Sequence, residues 1–149
     1  YSRNRVGENI ENELRAEWLN LNELLSRSKF IVILCPLTSE TKHLIAKDEL
    51  ELMRSDSFLI NVARGPIVKE SDLVSALKNK LIAGCALDVY EFEPKYDKDL
   101  AGMDNVVLTP HAGSASVGAR TGMVKLAAHN IETYFKNGKV PNAVNPEIL

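Results

Sequence analysis

Cysteine, long apolar runs and charge of one sign are all scarce in this chain, and each scarcity removes a class of protein. Among 149 residues the only cysteines are Cys35 and Cys85, both inside apolar strand-like runs and without metal-ligand spacing. They read as reduced core thiols of an intracellular, cytoplasmic protein, and no metal site is expected. The net charge is −2, from 18 basic and 20 acidic residues, so there is no basic footprint for nucleic acid. No run approaches a membrane span, and no signal peptide pattern is present. Internal repeats, low-complexity tracts and linkers are also lacking. With 45% hydrophobic and 26% charged residues, the composition is that of an ordinary soluble globular domain or part of a larger one. The first residue is Tyr1 rather than methionine, as expected of a processed, truncated or only partly observed chain.

Short strand-like and helix-like segments alternate through most of the sequence. After a loop at residues 1–5, Ile10 and Leu14 lie one helical turn apart, and Glu17 to Leu19 has the look of a brief strand. Asn20 with Glu23 three residues on makes a capping-box pattern, predicting a helix that ends near Ser28. Phe30 to Cys35 is continuously apolar, as in a strand buried on both faces, and Pro36 stops it. A helix over Lys47 to Met53, a turn at Ser55 to Ser57 and a strand over Phe58 to Val62 follow. Leu73, Ala76, Leu77 and Leu81 mark one face of a helix over Glu70 to Leu81. Ala83 to Val89 and Val106 to Thr109 are the next strands. Met123, Leu126, Ile131 and Tyr134 give a long helix from Val117 to Asn137, stopped by Gly138.

This alternation predicts an α/β fold with a parallel sheet wrapped by helices. In such a sheet, ligands bind outside the carboxyl ends of the strands. Cys35 to Thr38, Arg64, Asp88 and His111 all fall at such ends, so they should meet along one rim. Arg64 offers a planar fork to a carboxylate, His111 exchanges protons near neutral pH, and Glu93 can hold the imidazole and favour its charged form. Taken singly, each has a plainer use: a surface arginine, a loop carboxylate, a loop histidine. Together they suit reduction of a 2-oxo acid, in which charge developing on the carbonyl oxygen is stabilised by arginine and quenched by a proton from imidazolium. No side chain supplies a hydride, so a cofactor is required. His43 and His129 show no matching partner in the sequence and are read as structural.

These residues resemble those of the D-isomer-specific 2-hydroxyacid dehydrogenases, the family of glyoxylate and hydroxypyruvate reductases and phosphoglycerate dehydrogenase. Cys35-Pro36-Leu37-Thr38 is similar to the family's cofactor-facing loop, and Asn61-Val62-Ala63-Arg64-Gly65 to the segment bearing its substrate-binding arginine. Ala83-Gly84 through Leu87-Asp88-Val89 resembles its nicotinamide-contacting strand, Glu93-Pro94 its catalytic glutamate, and Thr109-Pro110-His111 its catalytic histidine segment. The resemblance implies a Rossmann-like doubly wound fold and Arg64, Glu93 and His111 as catalytic residues. It assigns Cys35, Pro36, Thr41, Val62, Ala63, Arg64, Asp88, His111 and Gly113 to the cofactor. It further implies a small 2-oxo or 2-hydroxy acid substrate and a homodimer.

The opening residues bear on which dinucleotide is used. If Tyr1 ends the second strand of a Rossmann half, Ser2, Arg3, Asn4 and Arg5 follow with no acid to hold ribose hydroxyls. That favours NADP over NAD, with Ser2 and Arg3 as ligands. The front of the family pattern is missing: there is no G-x-G-x-x-G turn and no first strand before it. Residues 1–149 therefore read as the carboxyl-terminal part of a dinucleotide-binding domain, with 114–149 the helix and tail that return to an absent substrate domain. A chain without the central first strand is not expected to be a stable, active monomer by itself. Two other functions fit the same residues, a dinucleotide-sensing corepressor and an inactive fragment of the dehydrogenase.

Overall fold

The structure, a computed structural model, describes residues 1–148, in two compact units that meet in sequence between His111 and Ala112. The first unit contains a four-stranded parallel sheet: β1 (Phe30–Ile33), β2 (Phe58–Asn61), β3 (Gly84–Leu87) and β4 (Val106–Leu108), in that spatial order. Its helices are α1 (Glu8–Leu14), α2 (Leu21–Arg27), α3 (Lys47–Leu52) and α4 (Glu70–Lys78). The register sets Ile31 beside Leu59, Leu59 beside Cys85, and Cys85 beside Val106. Side chains of one parity therefore share a face, where they meet Leu25 of α2, Leu50 of α3, and Leu73, Val74 and Leu77 of α4 in the core.

The other face departs from the expectation of strands buried on both sides. Phe30, Val32 and Val107 are exposed there, with Phe30 stacked on Phe58 at 5.5 Å between ring centroids. The cause is topological. A right-handed crossover puts its helix on one side of the sheet, and successive crossovers stepping in one direction, as β1 to β2 to β3 do, all choose the same side. Covering both sides requires a reversal of strand order, and these four strands contain none.

Local boundaries follow side-chain chemistry. Asn20 caps α2 by accepting the Glu23 N–H at 3.0 Å, and its amide also donates to the Glu23 carboxylate. α4 stops at Lys78, short of Leu81, because Lys80 takes a left-handed conformation at φ 55°. The strand ends at Ile33, Asn61, Leu87 and Leu108 likewise fall one or two residues inside the expected limits. Glu17 to Leu19 forms no strand; the segment is irregular, and β1, the first strand of the sheet, pairs only with β2. Ile10 and Leu14 of α1 are exposed, and its buried residue is Glu11, held bidentately by Arg5.

In the second unit, α5 runs from Val117 to Asn137. Ser116 caps it by accepting the Ala119 N–H, and Gly138 ends it at φ 72°, where a side chain would be strained. None of its residues is buried.

The two cysteines differ sharply. Cys85 lies in the core, and burial pushes its thiol up to about 12, whereas Cys35 is half-buried at the end of β1. A disulfide-exchange reagent at pH 8 should therefore titrate Cys35 in the native chain and reach Cys85 only after denaturation. Rapid native reaction of both thiols would show that the β3 core opens readily.

Candidate active site

The turn after β2 is built by Asn61, a buried residue at the end of the strand. Its amide donates to the Arg64 carbonyl at 3.0 Å, while its Oδ1 accepts the Ala63 N–H at 3.1 Å. This bracket closes the turn and leaves Arg64 exposed, with its Nη1 donating to the Ala63 carbonyl at 2.7 Å. Gly65 follows because the turn passes hard against the next loop. A Cβ there would lie 1.8 Å from the Tyr90 carbonyl oxygen. Val62, between Asn61 and Ala63, is exposed on the rim.

The loop after β3 begins at Asp88, whose N–H donates to the Asn61 carbonyl and whose carboxylate accepts the Thr109 hydroxyl. Tyr90 then ties this loop to the next. Its phenol donates to the Thr109 carbonyl at 2.7 Å, and burial, with help from the Asp88 carboxylate, pushes its pKa up and keeps it a donor. Two residues past Thr109, His111 sits in a left-handed conformation at φ 52°, its N–H on the Thr109 carbonyl.

Glu93 and His111 meet across these loops. The imidazole Nδ1 lies 3.0 Å from Glu93 Oε2, and the Tyr90 backbone N–H donates to Glu93 Oε1, also at 3.0 Å. Chiefly through the His111 bond, then the Tyr90 N–H, the Glu93 carboxyl is held below the ordinary glutamate range, and Arg64 adds to the effect. Arg64 and Glu93 line one open cleft of about 750 Å³, with Tyr90, Phe92 and Lys95. The rim expected from sequence thus brings Arg64, Glu93 and His111 into one electrostatic group.

The remaining expected positions lie around it. Cys35 and Pro36 follow β1, and Thr41 closes their loop by donating to the Pro36 carbonyl and accepting the Thr38 N–H, both at 2.7 Å. Ser2 donates to the Asn4 carbonyl, and the single tryptophan, Trp18, donates its indole N–H to the Ser2 carbonyl. Arg3 pairs with Glu40 at 3.1 Å with both side chains exposed, while Arg5 is committed to Glu11. Gly113 belongs to the second unit.

One sequence reading needs correcting. His43 has a partner: its Nε2 lies 2.7 Å from Glu91 Oε1, a contact across 48 residues with no local signal. Glu70, Glu91 and Tyr90 also join these loops, and no sequence motif marks them. Glu91 and Glu93 stand two residues apart, a spacing that in extended chain would set both acids on one face; the turn they occupy instead sends Glu91 to Glu70 and His43 and Glu93 to His111.

Among the described residues, no group of three or more histidine, cysteine, aspartate or glutamate side chains could hold a metal, and no helix is long and apolar enough to cross a membrane. Comparison with known proteins agrees with the geometry. Residues 1–113 match the family described as D-isomer specific 2-hydroxyacid dehydrogenase, NAD binding domain. The chain is 51% identical over its whole length to a glyoxylate reductase of Pyrococcus horikoshii and 50% identical over 99% of its length to one of Thermococcus onnurineus. It covers 44% of each, so it spans less than half the length of these relatives. Among solved structures, a glyoxylate reductase from Paecilomyes thermophila superposes with a TM-score of 0.84 at 30% identity, over 99% of this chain and 44% of that one. An NADPH-dependent glyoxylate/hydroxypyruvate reductase from Sinorhizobium meliloti, in complex with NADP and malonate, gives 0.75 at 36% identity, over 81% and 38%. By its sequence, its parallel sheet and the residues on the rim of that sheet, the chain belongs to the D-isomer-specific 2-hydroxyacid dehydrogenases.

Proposed function

We propose that this chain is the carboxyl-terminal part of the dinucleotide-binding domain of an NADPH-preferring reductase of glyoxylate or hydroxypyruvate, with residues 114–149 the helix and tail that lead back to a substrate domain. The observation that carries the reading is the His111–Glu93 pair at 3.0 Å beside Arg64. The chemistry of the rim suits a nicotinamide dinucleotide. Val62 and Leu34 offer exposed apolar surface for a ring, Asp88 a carboxylate for an amide, and Arg3 a guanidinium for a phosphate. Cys35, Pro36, Thr41 and Ala63 complete that set on the first unit. When bound, the reduced cofactor supplies the hydride.

Arg64 holds the substrate carboxylate and stabilises charge on the adjoining carbonyl oxygen. As the carbonyl carbon gains hydride, its π electron pair moves onto oxygen, and protonated His111 delivers the proton that completes the 2-hydroxy acid. With Nδ1 committed to Glu93, Nε2 is the nitrogen that delivers it. Glu93 fixes the tautomer and orientation of the ring. The exposed apolar stripe of α5, including Met123, Leu126, Ile131 and Phe135, supports a homodimer.

The test is oxidation of NADPH and NADH by the full-length protein with glyoxylate and with hydroxypyruvate. Turnover is expected with both acids and at lower KM for NADPH. Arg3→Ala should erase the preference by raising KM for NADPH alone, on the order of tenfold for one charge-assisted phosphate contact. No oxidation of either cofactor with either acid would contradict the activity, and an unchanged preference in Arg3→Ala would contradict the role of Arg3.

A further inference from the structure

We infer that Glu70 and Glu91, with His43 against them, form a clasp that positions the Glu93 carboxylate on His111; the inference rests on the functional reading of that pair. The geometry is reciprocal. Glu91 Oε2 accepts the backbone N–H of Glu70 at 2.8 Å, and Glu70 Oε2 accepts the backbone N–H of Glu91 at 3.1 Å. Each acid thus holds the other's main chain. The second oxygens are also used: Glu70 Oε1 accepts the Asp97 N–H, and Glu91 Oε1 faces His43 Nε2 at 2.7 Å.

Both carboxylates are withdrawn from solvent, Glu70 at 6% exposure and the Glu91 side chain at 9%. A buried carboxylate is costly unless its lone pairs are filled, and here all four oxygens have partners, so the arrangement is rigid rather than merely tolerated. The elements joined are telling. Glu70 opens α4, whose approach from β2 carries Arg64 and Gly65. Glu91 lies two residues before Glu93. His43 comes from the loop after β1, and its own N–H donates to the Pro66 carbonyl at 2.8 Å. The clasp therefore fixes the Glu93 loop to the Arg64 turn at a point where both are irregular. A displacement of about 1 Å at a reacting group costs on the order of 100-fold in rate, so such fixing has a catalytic consequence. Glu70, Glu91 and His43 are positioning residues, since their bonds run to the main chain and to each other.

Carboxyl-carbon NMR of the full-length protein across pH 2–7 tests this without turnover. In the wild type, Glu93 should titrate below 4.5, the ordinary glutamate value. In Glu91→Ala, with the amide spectrum of the sheet retained, its midpoint should rise toward that value as its contact with His111 loosens. Glu91→Gln keeps an acceptor for the Glu70 N–H and should restore most of the depression, whereas Glu91→Met, of similar size but without that acceptor, should not, which separates the hydrogen bond from packing. If Glu91→Ala fails to fold, Glu70→Gln, which keeps its volume and gives up one acceptor, should move Glu93 the same way by less. A depressed wild-type midpoint left unmoved by these variants would overturn the clasp alone. A wild-type Glu93 at the ordinary value would remove the Glu93–His111 pairing and, with it, the functional reading.

Discussion

Gly65→Ala is expected to destabilise the first unit by about 3 kcal/mol or more, the upper end of what overpacking costs. The added Cβ would stand 1.8 Å from the Tyr90 carbonyl oxygen, 1.9 Å from its carbon and 2.6 Å from the Glu91 nitrogen. All three are main-chain atoms, so no rotamer change relieves the clash. The Tyr90–Glu91 backbone cannot simply retreat either. It is held by the Tyr90 phenol on Thr109 and by the paired bonds with Glu70. Relief must break these bonds or open the turn that carries Arg64. Urea unfolding of the full-length protein, monitored by far-UV circular dichroism, measures the cost. Gly122→Ala is the control: it lies within α5, where a Cβ meets nothing within 4 Å, and alanine should be neutral or stabilising by up to about 1 kcal/mol. Equal stability of the Gly65→Ala and wild-type chains would mean that the Arg64 and Tyr90 loops are not packed as described.

His111→Gln should lower kcat for glyoxylate reduction in the full-length protein by 10²- to 10⁴-fold, the usual contribution of a positioned general acid. Glutamine retains an amide that can donate to Glu93, so the loop should keep its place while the transferable proton is lost. KM for NADPH is expected to change little. A fall in kcat of less than about fivefold would assign proton delivery to another group.

Much of this was legible in the sequence, for identifiable reasons. The strands announced themselves because parallel strands need apolar, β-branched runs, and Phe30 to Ile33 and Phe58 to Asn61 are such runs. Their carboxyl ends then placed Arg64 and His111 on one rim without any coordinates. α5 was legible because its apolar residues recur at helical spacing and Gly138 is a strong stop signal. The open face of the sheet was not, since an apolar run does not say how many of its faces are covered; that depends on strand order. The contact of His43 with Glu91 was equally hidden, because it joins residues 48 apart. Glu70 opens a helix, where an acid is common, and only the fold shows what it faces. The brief strand at Glu17 to Leu19 failed because short extended propensity counts for little without a strand to pair with.

The central claim is that Glu93 and His111 act as one unit, the acid making the imidazole effective. A double-mutant cycle on kcat for glyoxylate reduction by the full-length protein tests it most directly, with Glu93→Gln, His111→Gln and the pair together. The two single losses should fail to multiply, and the double variant should be about as slow as His111→Gln alone. A double variant slowed by the full product of the single effects would mean that the two residues contribute independently, and would contradict the account.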